Sequence, residues 1–226
     1  MGAQPIPVHL LAGGPGARRN AYRALVQDIL SLSGKRRPVV AYLGAATDDD
    51  PRFGGWMKDL VASAGPCAFR LAPVSGGRAS TARQIIEEAD VVFVGGGDVE
   101  LGMQRIGERD LAGALRRKHA GGVPFFGISA GAIMLARRWV RWPDPDDEHS
   151  VEAFDCLGLA PVLCDCHGEE DGWGELKALL RLSGAAAVGY GLRSGAAVRV
   201  GPGDAVETVC GAVDRFAVRG GKVLAG

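Results

Sequence analysis

Residues 125–136 read FFGISAGAIMLA, a stretch in which one serine stands between two apolar runs. The first run, Phe125–Ile128, has the length and the aromatic and β-branched character of a buried strand. The residues after Ser129 are small or helix-forming, so the stretch predicts a strand, a sharp turn and a helix. Gly127 and Gly131 suit such a turn, because its strand and helix approach each other closely.

Strands and helices are predicted to alternate ahead of this turn. The predicted strands are Val8–Leu11, Val39–Leu43, Phe69–Val74, Val91–Val94 and Phe125–Ile128. The predicted helices are Arg18–Leu32, Arg52–Ala64, Thr81–Ala89 and Leu111–His119. The spacing Thr81-x-x-Gln84 is close to a capping box. The alternation indicates an α/β three-layer sandwich with a mostly parallel central sheet, whose ligands bind at the carboxyl ends of the strands.

The pattern changes after about Ala196. Short runs follow at Ala196–Val200, Ala205–Cys210, Arg215–Val218 and Lys222–Leu224, with glycine-containing segments between them. Such runs predict antiparallel hairpins at the C-terminus. With 226 residues and no recognisable linker, residues 1–226 are expected to form a single domain.

The composition narrows the classes of partner. Lys and Arg together number 26, as do Asp and Glu, so the formal net charge is zero. This balance removes the broad attraction that nucleic-acid and anionic-membrane binders use, which favours a small molecule or peptide as ligand. The five cysteines are an odd number, and a chain of this size does not need disulfides for stability, so reduced thiols are expected. No run approaches membrane-spanning length, so a cytoplasmic protein is expected.

Ser129 is the main candidate for a nucleophile. A side chain on a strand-to-helix turn is held above the sheet by a strained backbone, and the Ala130 amide would point at a developing oxyanion. The alternative is an ordinary N-cap serine, since Gly-x-Ser-x-Gly also arises by chance in a chain with 35 glycines. The preceding strand and following helix favour the nucleophile.

A serine nucleophile needs a base, and the chain has four histidines. His9 lies inside the first predicted strand, which favours a place in the core. His119 ends a predicted helix, where it would stabilise the terminus. His167 follows an apolar run at a predicted strand end, where active-site groups belong, and is favoured over His149 in a charged loop.

A carboxylate that orients the imidazole is expected between Ser129 and His167. Residues 143–148 read PDPDDE, and Asp144, Asp146 and Asp147 are the candidates. The alternative for each of them is a solvated turn.

Gly95-Gly96-Gly97-Asp98 follows a predicted buried strand, so its amides could supply a second oxyanion donor. The alternative is that these glycines only allow a tight connection after the strand and bind nothing. Gly13-Gly14-Pro15-Gly16 lacks the spacing of a dinucleotide fingerprint, so no cofactor is predicted. Cys164-x-Cys166-His167 is narrower than usual zinc spacings, so no metal is predicted either.

Four motifs in order carry a resemblance to a known family. They are Gly95-Gly96-Gly97-Asp98, Gly127-Ile128-Ser129-Ala130-Gly131-Ala132, Phe154-x-x-Leu157-Gly158-Leu159, and a histidine thirteen positions after the phenylalanine. The chain resembles the dipeptidase E and cyanophycinase family of serine peptidases from about residue 39 to residue 200. The resemblance implies a flavodoxin-like, class I glutamine amidotransferase-like fold.

The resemblance also implies a mechanism for small peptides such as dipeptides. Ser129 would attack a peptide carbonyl, and His167 would take its proton and then donate one to the leaving amine. The amides of Gly96 or Gly97 and of Ala130 would hold the oxyanion. No cofactor is implied, and the protein is expected to be a monomer or a homodimer.

The family's acidic residue lies about fifteen positions after the serine. Asp144 stands at that position here, while Asp146 and Asp147 stay open because a small insertion is expected in this loop.

The sequence departs from the family beside the histidine. Members that cleave after aspartate carry basic residues there, whereas residues 168–171 of this chain read GEED. Glu169 and Glu170 are therefore candidate substrate-binding residues, and this acidic stretch would repel an aspartyl side chain and favour a cationic one. Asp98, at the end of the glycine loop, is a third candidate for substrate binding. An acidic pair common in the family is replaced by Arg193-Ser194.

Two other functions share part of this pattern. Esterases of the α/β-hydrolase class have the same Gly-x-Ser-x-Gly motif and the order serine, acid, histidine, but with the histidine much farther along the chain. A non-catalytic binding protein that retains the fold is the second alternative, since the stretch after His167 is altered.

Overall fold

The computed structural model describes residues 6–14 and 19–226. The strands, in chain order, are β1 (Val8–Leu11), β2 (Val39–Leu43), β3 (Ala68–Leu71), β4 (Val91–Val94), β5 (Phe125–Ile128), β6 (Arg138–Arg141), β7 (Glu152–Asp155), β8 (Leu163–Cys166), β9 (Val188–Leu192), β10 (Ala197–Val200), β11 (Val206–Cys210), β12 (Val213–Arg219) and β13 (Lys222–Ala225). The helices are α1 (Arg19–Ser31), α2 (Pro51–Ala64), α3 (Ala79–Glu88), α4 (Val99–Glu108), α5 (Ala112–Ala120), α6 (Ala130–Leu135) and α7 (Gly174–Ser183).

The central sheet has the strand order β11-β10-β1-β5-β4-β2-β3. Pairing is parallel from β1 through β5, β4 and β2 to β3. The pairs β1–β10 and β10–β11 are antiparallel. The predicted mostly parallel sheet is confirmed, and the carboxyl ends of its parallel strands share one edge.

Helices cover both faces of this sheet, as predicted. Successive residues of a strand point to opposite faces, so Leu10 and Leu11 enter different cores. Leu11 packs with α1 and α2, while Leu10 belongs to a larger core that includes side chains from α3 to α7. The three-layer sandwich is confirmed. No helix within residues 6–14 and 19–226 has the length and apolar character that crossing a bilayer requires.

A smaller sheet in the order β13-β12-β9-β8 lies beyond the central one. The predicted C-terminal antiparallel strands are confirmed, but they divide between the two sheets. Strands β10 and β11 extend the central sheet, whereas β12 and β13 continue the smaller sheet. In the smaller sheet β8 pairs in parallel with β9, and residue 167 directly follows the end of β8.

Two local predictions were wrong. The helix α3 begins at Ala79 after Arg78, so Thr81 is inside the helix and makes no capping box. Gln84 instead donates to Glu88 one turn later. The strand β3 occupies Ala68–Leu71 instead of residues 69–74, because Pro73 has no N–H for further pairing. Arg18, the predicted start of the first helix, lies outside the described residues.

The turn between β5 and α6 depends on two glycines. A Cβ on Gly127 would lie 2.3 Å from the carbonyl oxygen of Gly131. A Cβ on Gly131 would lie 2.1 Å from the carbonyl oxygen of Val94 in β4. Both are backbone contacts that no side-chain rotation can relieve. The start of α6 therefore rests directly on the sheet, and only glycine fits at these positions.

We expect Gly131→Ala to reduce the free energy of unfolding by about 3 kcal/mol or more, because a methyl group would overlap backbone atoms of β4. The control is Gly55→Ala at an exposed position of α2, where a Cβ meets nothing within 4 Å. That change should stabilise the protein by about 0.5–1 kcal/mol. Urea denaturation measures both, and equal effects would contradict this account of the turn.

Candidate active site

Ser129 occupies the turn between β5 and α6. Its backbone has φ 53° and ψ −125°, a strained conformation for a residue with a side chain. Its N–H donates to the carbonyl of Leu11 at 2.8 Å, which fixes the turn to the neighbouring strand β1. The side chain does not cap α6, although Ser129 stands at the N-cap position. The hydroxyl is therefore free for another partner.

That partner is His167, the first residue after β8. The distance from Ser129 Oγ to His167 Nε2 is 2.8 Å, within hydrogen-bond range. His167 also has a positive φ, of 47°, and its N–H donates to the carbonyl of Leu192 in β9. Gly14 packs against it, since a Cβ on Gly14 would come within 3.0 Å of the histidine Cβ. The two sheets thus bring together residues 38 positions apart.

The other three histidines lie elsewhere. His9 is in β1 and only 4% exposed, and its burial, with the charge of Arg199, lowers its pKa to about 4. His119 in α5 contacts the carbonyl of Ile6 at 3.3 Å. The side chain of His149 is 88% exposed.

The acidic loop that follows β6 does not join this pair. Asp144, Asp146 and Asp147 are exposed, and two of their carboxylates accept local backbone hydrogen bonds. Asp144 accepts from the N–H of Asp146 at 3.0 Å, and Asp147 accepts from the N–H of His149 at 2.8 Å. Short acidic side chains stabilise tight turns in this way. Within the described residues, none of the three hydrogen-bonds to His167, in contrast to the sequence expectation.

Glu169 is the carboxylate on which the charge of His167 acts, although no hydrogen bond joins the two side chains among the described residues. One oxygen, Oε1, accepts from the N–H of Ser194 at 2.9 Å. The other, Oε2, is buried and has no hydrogen-bond partner among the described residues. Partial burial alone would raise the pKa of Glu169, but the hydrogen bonds from Ser194 and the charge of His167 hold it below its ordinary value. The sequence assigned this residue to substrate binding.

The glycine loop after β4 lies against the serine. A Cβ on Gly96 would come 3.0 Å from Ser129 Cβ, so the two residues are in direct contact. Gly96 is buried and Gly97 is exposed. The N–H groups of Gly96, Gly97 and Ala130 donate to no other residue in the described part of the chain. Ala130 is buried like Gly96, so Gly97 is the exposed residue of the three.

Two cavities share Ser129 and Gly97 in their linings. The first, here called the acidic cavity, has a volume of about 370 Å³. Its polar lining consists of Asp98, Glu100, Ser129, Arg141, Asp165, His167 and Glu175. The second, here called the apolar cavity, has a volume of about 500 Å³. Its apolar lining consists of Tyr22, Phe53, Trp56, Met57, Leu60 and Ile128.

Asp165 is a buried acidic residue in the lining of the acidic cavity. It is only 4% exposed, and burial raises its pKa to about 7, with Glu175 and Asp171 adding to the effect. Its Oδ1 accepts from the N–H of Cys166 at 2.7 Å. Desolvation, then the charges of Asp171 and Asp98, also raises the pKa of Glu175 at the start of α7.

Sequence reasoning missed both of these acidic residues. Asp165 could have been found from the sequence, because a charged residue within an otherwise apolar strand is unusual and indicates a functional site. Of the three predicted substrate-binding residues, Asp98 lines the acidic cavity, and it also caps α4 by accepting from the N–H of Leu101 at 2.9 Å. Glu169 and Glu170 line neither cavity.

A metal centre finds no support in the donor arrangement. No group of three His, Cys, Asp or Glu side chains within the described ranges could hold a metal ion. Cys164 and Cys166 are buried, and their burial raises the pKa of each thiol.

Comparison with known proteins identifies the family. Residues 9–208 match the model of peptidase family S51. The chain belongs to peptidase family S51. It is therefore a serine-type peptidase, and the resemblance found in the sequence is confirmed.

Relatives of this S51 chain carry the name peptidase E. A peptidase E of Actinobacillus pleuropneumoniae serotype 5b (strain L20) is 34% identical over 163 residues, which are 70% of this chain and 67% of that protein. A peptidase E of Pasteurella multocida (strain Pm70) is 31% identical over 143 residues, or 63% and 58% of the two chains.

Solved structures share the fold of this S51 member. A peptidase from an acI-B1 Actinobacterium superimposes with a TM-score of 0.68 at 16% sequence identity, covering 100% of this chain and 99% of that one. A protein of Listeria monocytogenes EGD-e gives a TM-score of 0.66 at 14% identity, covering 92% and 99%.

The raised pKa of Asp165 predicts a pH-dependent cost in stability. Between pH 3.8 and about 7 the folded protein binds a proton that the unfolded chain releases, so stability falls as the pH rises through this window. Asp165→Asn keeps an acceptor for Cys166 and removes the charge. We expect the variant to be more stable than the parent by on the order of 3 kcal/mol at pH 8, and nearly equal at pH 4.

Urea unfolding at a series of pH values between 4 and 8 measures this difference. The control is Glu87→Gln, on an exposed part of α3. A difference for Asp165→Asn that does not grow with pH would contradict the assignment.

Proposed function

We propose that this S51 peptidase hydrolyses dipeptides and other small peptides through an acyl-enzyme on Ser129, with His167 as the base. The observation that carries the proposal is the 2.8 Å separation of Ser129 Oγ and His167 Nε2. A serine hydroxyl is a weak nucleophile unless a base removes its proton, and this separation allows direct proton transfer. The strained turn supports the same role, because it holds the hydroxyl at the junction of two cavities.

The reaction then follows in two stages. In the first, His167 Nε2 takes the proton of Ser129 as Oγ bonds to the peptide carbonyl carbon. The amides of Gly97 and Ala130 stabilise the negative oxygen, and the imidazolium donates its proton to the amine as the C–N bond breaks. In the second, His167 takes a proton from water, whose oxygen attacks the ester, and the proton returns to Ser129 as the acid leaves.

Glu169 is our choice for the carboxylate that orients the imidazole. Because Nε2 of His167 faces Ser129, the group that orients the ring must act on Nδ1. Three features of Glu169 support the role: its buried Oε2 without a partner, its anchoring by Ser194, and the effect of His167 on its pKa. The candidates Asp144, Asp146 and Asp147 are less suitable, because their loop lines neither cavity.

The size of the cavities favours small substrates. Volumes of about 370 and 500 Å³ lie at the lower end of the range for small-molecule sites, so each accommodates one or two side chains. A dipeptide bound across Ser129 would occupy both.

We expect Ser129→Ala to lower kcat/KM for dipeptides by at least about 10⁴-fold, since the nucleophile is removed while the cavities stay intact. A fluorophosphonate probe should label the parent and not the variant. Ser31→Ala, on the exposed part of α1, is the control and should match the parent in both assays. Labelling of Ser129→Ala would rule out Ser129 as the nucleophile, and hydrolysis of esters without peptides would favour an esterase.

Glu169→Gln should lower kcat by at least about 10²-fold with a small change in KM, because the substituted side chain loses the charge that stabilises the imidazolium. Glu169→Asp should recover part of the loss, which a purely structural role would not explain. Steady-state kinetics on a dipeptide checks both, with Glu87→Gln as control. A comparable loss in Asp144→Asn and none in Glu169→Gln would return the role to the acidic loop.

A further inference from the structure

The two cavities that meet at Ser129 differ in chemical character. Both include Ser129 and Gly97, so a carbonyl group held at Ser129 borders both cavities. The substrate groups that flank the scissile bond therefore enter different environments. Their chemistry can be inferred from the residues that line each cavity.

The acidic cavity has more negative than positive charge. Its carboxylates belong to Asp98, Glu100, Asp165 and Glu175. The arginine in its wall, Arg141, is already paired with Glu100 at 3.1 Å and with Glu152 outside the cavity. In the described part of the chain, no Lys or Arg forms an ion pair with Asp165 or Glu175.

This arrangement favours a cation from outside. Burial is the main cause of the raised pKa of Asp165, and the charge of Glu175, which lines the same cavity, raises that pKa further. A positive group between them would relieve that repulsion and form charge-assisted hydrogen bonds. An aspartyl or glutamyl side chain would add a further negative charge in the same space and be repelled.

The apolar cavity presents an aromatic surface instead. Trp56 on α2 is 64% exposed, the most exposed of the large hydrophobic side chains in the described ranges. Its ring lies 6.1 Å from that of Phe53, and both line this cavity. An apolar substrate group placed here would cover the indole and remove hydrophobic surface from water. Asp59 is the charged residue in the described lining.

We propose that the preferred substrates are small peptides with a positively charged group on one side of the scissile bond and an apolar side chain on the other. This inference rests on the proposed function, because it places the scissile carbonyl at Ser129. The positive group is an ammonium or guanidinium. It can come from a Lys or Arg side chain or from the free α-amino group, and the two sources share the same chemistry.

The test compares matched peptides on the purified full-length chain. Lysyl-leucine and leucyl-lysine are measured against the same dipeptides with norleucine, a neutral side chain of similar length, in place of lysine. Nα-acetylated forms separate an α-amino contribution from a side-chain one. Lysyl-glycine and glycyl-lysine lack the leucine side chain, so they show how much that side chain contributes to kcat/KM. Aspartyl-leucine shows how far an acidic side chain lowers kcat/KM.

If the positive group is a side chain, kcat/KM should be roughly tenfold or more higher for the lysine dipeptide than for its norleucine counterpart, in at least one of the two residue orders. If the positive group is the α-amino group, the same advantage should separate the free peptides from the Nα-acetylated ones. The advantage should decrease with added salt. Aspartyl-leucine should be the poorest substrate. Replacing leucine by glycine should lower kcat/KM by a further tenfold or so.

Variants assign these preferences to the two cavities. Glu175→Gln, at an exposed position that does not hold the core, should reduce the preference for the charged substrate to about threefold or less. Trp56→Ala should reduce the preference for leucine over glycine and leave the charge preference in place. Glu87→Gln and Leu224→Ala, both exposed and outside the cavities, should leave both preferences unchanged.

The outcomes separate this inference from the proposed function. Ser129-dependent hydrolysis with equal rates for lysine and norleucine and for free and acetylated peptides, or a preference for aspartate, would overturn the inference alone. A charge preference that survives in both Glu175→Gln and Asp165→Asn would overturn the assignment to the acidic cavity. Failure of every peptide to be cleaved by protein that is labelled at Ser129 would overturn the proposed function and the inference with it.

Discussion

The close contact between the start of α6 and the central sheet is the constraint on which the rest of the site depends. The backbone of Gly131 lies against Val94, and Gly127 lies against Gly131, so the chain has no room for side chains there. Ser129, between these two glycines, has φ 53° and ψ −125°, and its side chain does not cap the helix that it precedes.

A second constraint brings the base to that hydroxyl. His167 ends a strand of the smaller sheet and is tied to β9 through Leu192, while Ser129 is tied to β1 through Leu11. Each residue is thus fixed to its own sheet by a backbone hydrogen bond. The separation of Oγ and Nε2 depends on how the two sheets pack, and not on any local sequence pattern.

The site includes features that work against stability. Two of its residues have positive φ angles, and burial raises the pKa of Asp165 to about 7. Such features are expected where binding and catalysis require groups that folding alone would not select. Solved structures of peptidases share the overall framework with this chain.

The amino-acid sequence by itself determined the parallel strands, the glycine-bounded turn at Ser129 and the placement of His167 at a strand end. These are local features, because a strand, a turn or a close backbone contact needs only a few neighbouring residues. The tertiary structure alone decided which residues line the cavities and which group anchors Glu169. Glu169 accepts a hydrogen bond from the N–H of Ser194, 25 positions away, and Trp56 lines the same cavity as Ser129 because α2 packs against the central sheet. Contacts of this kind join residues far apart in the chain, so no local pattern of charge or hydrophobicity encodes them.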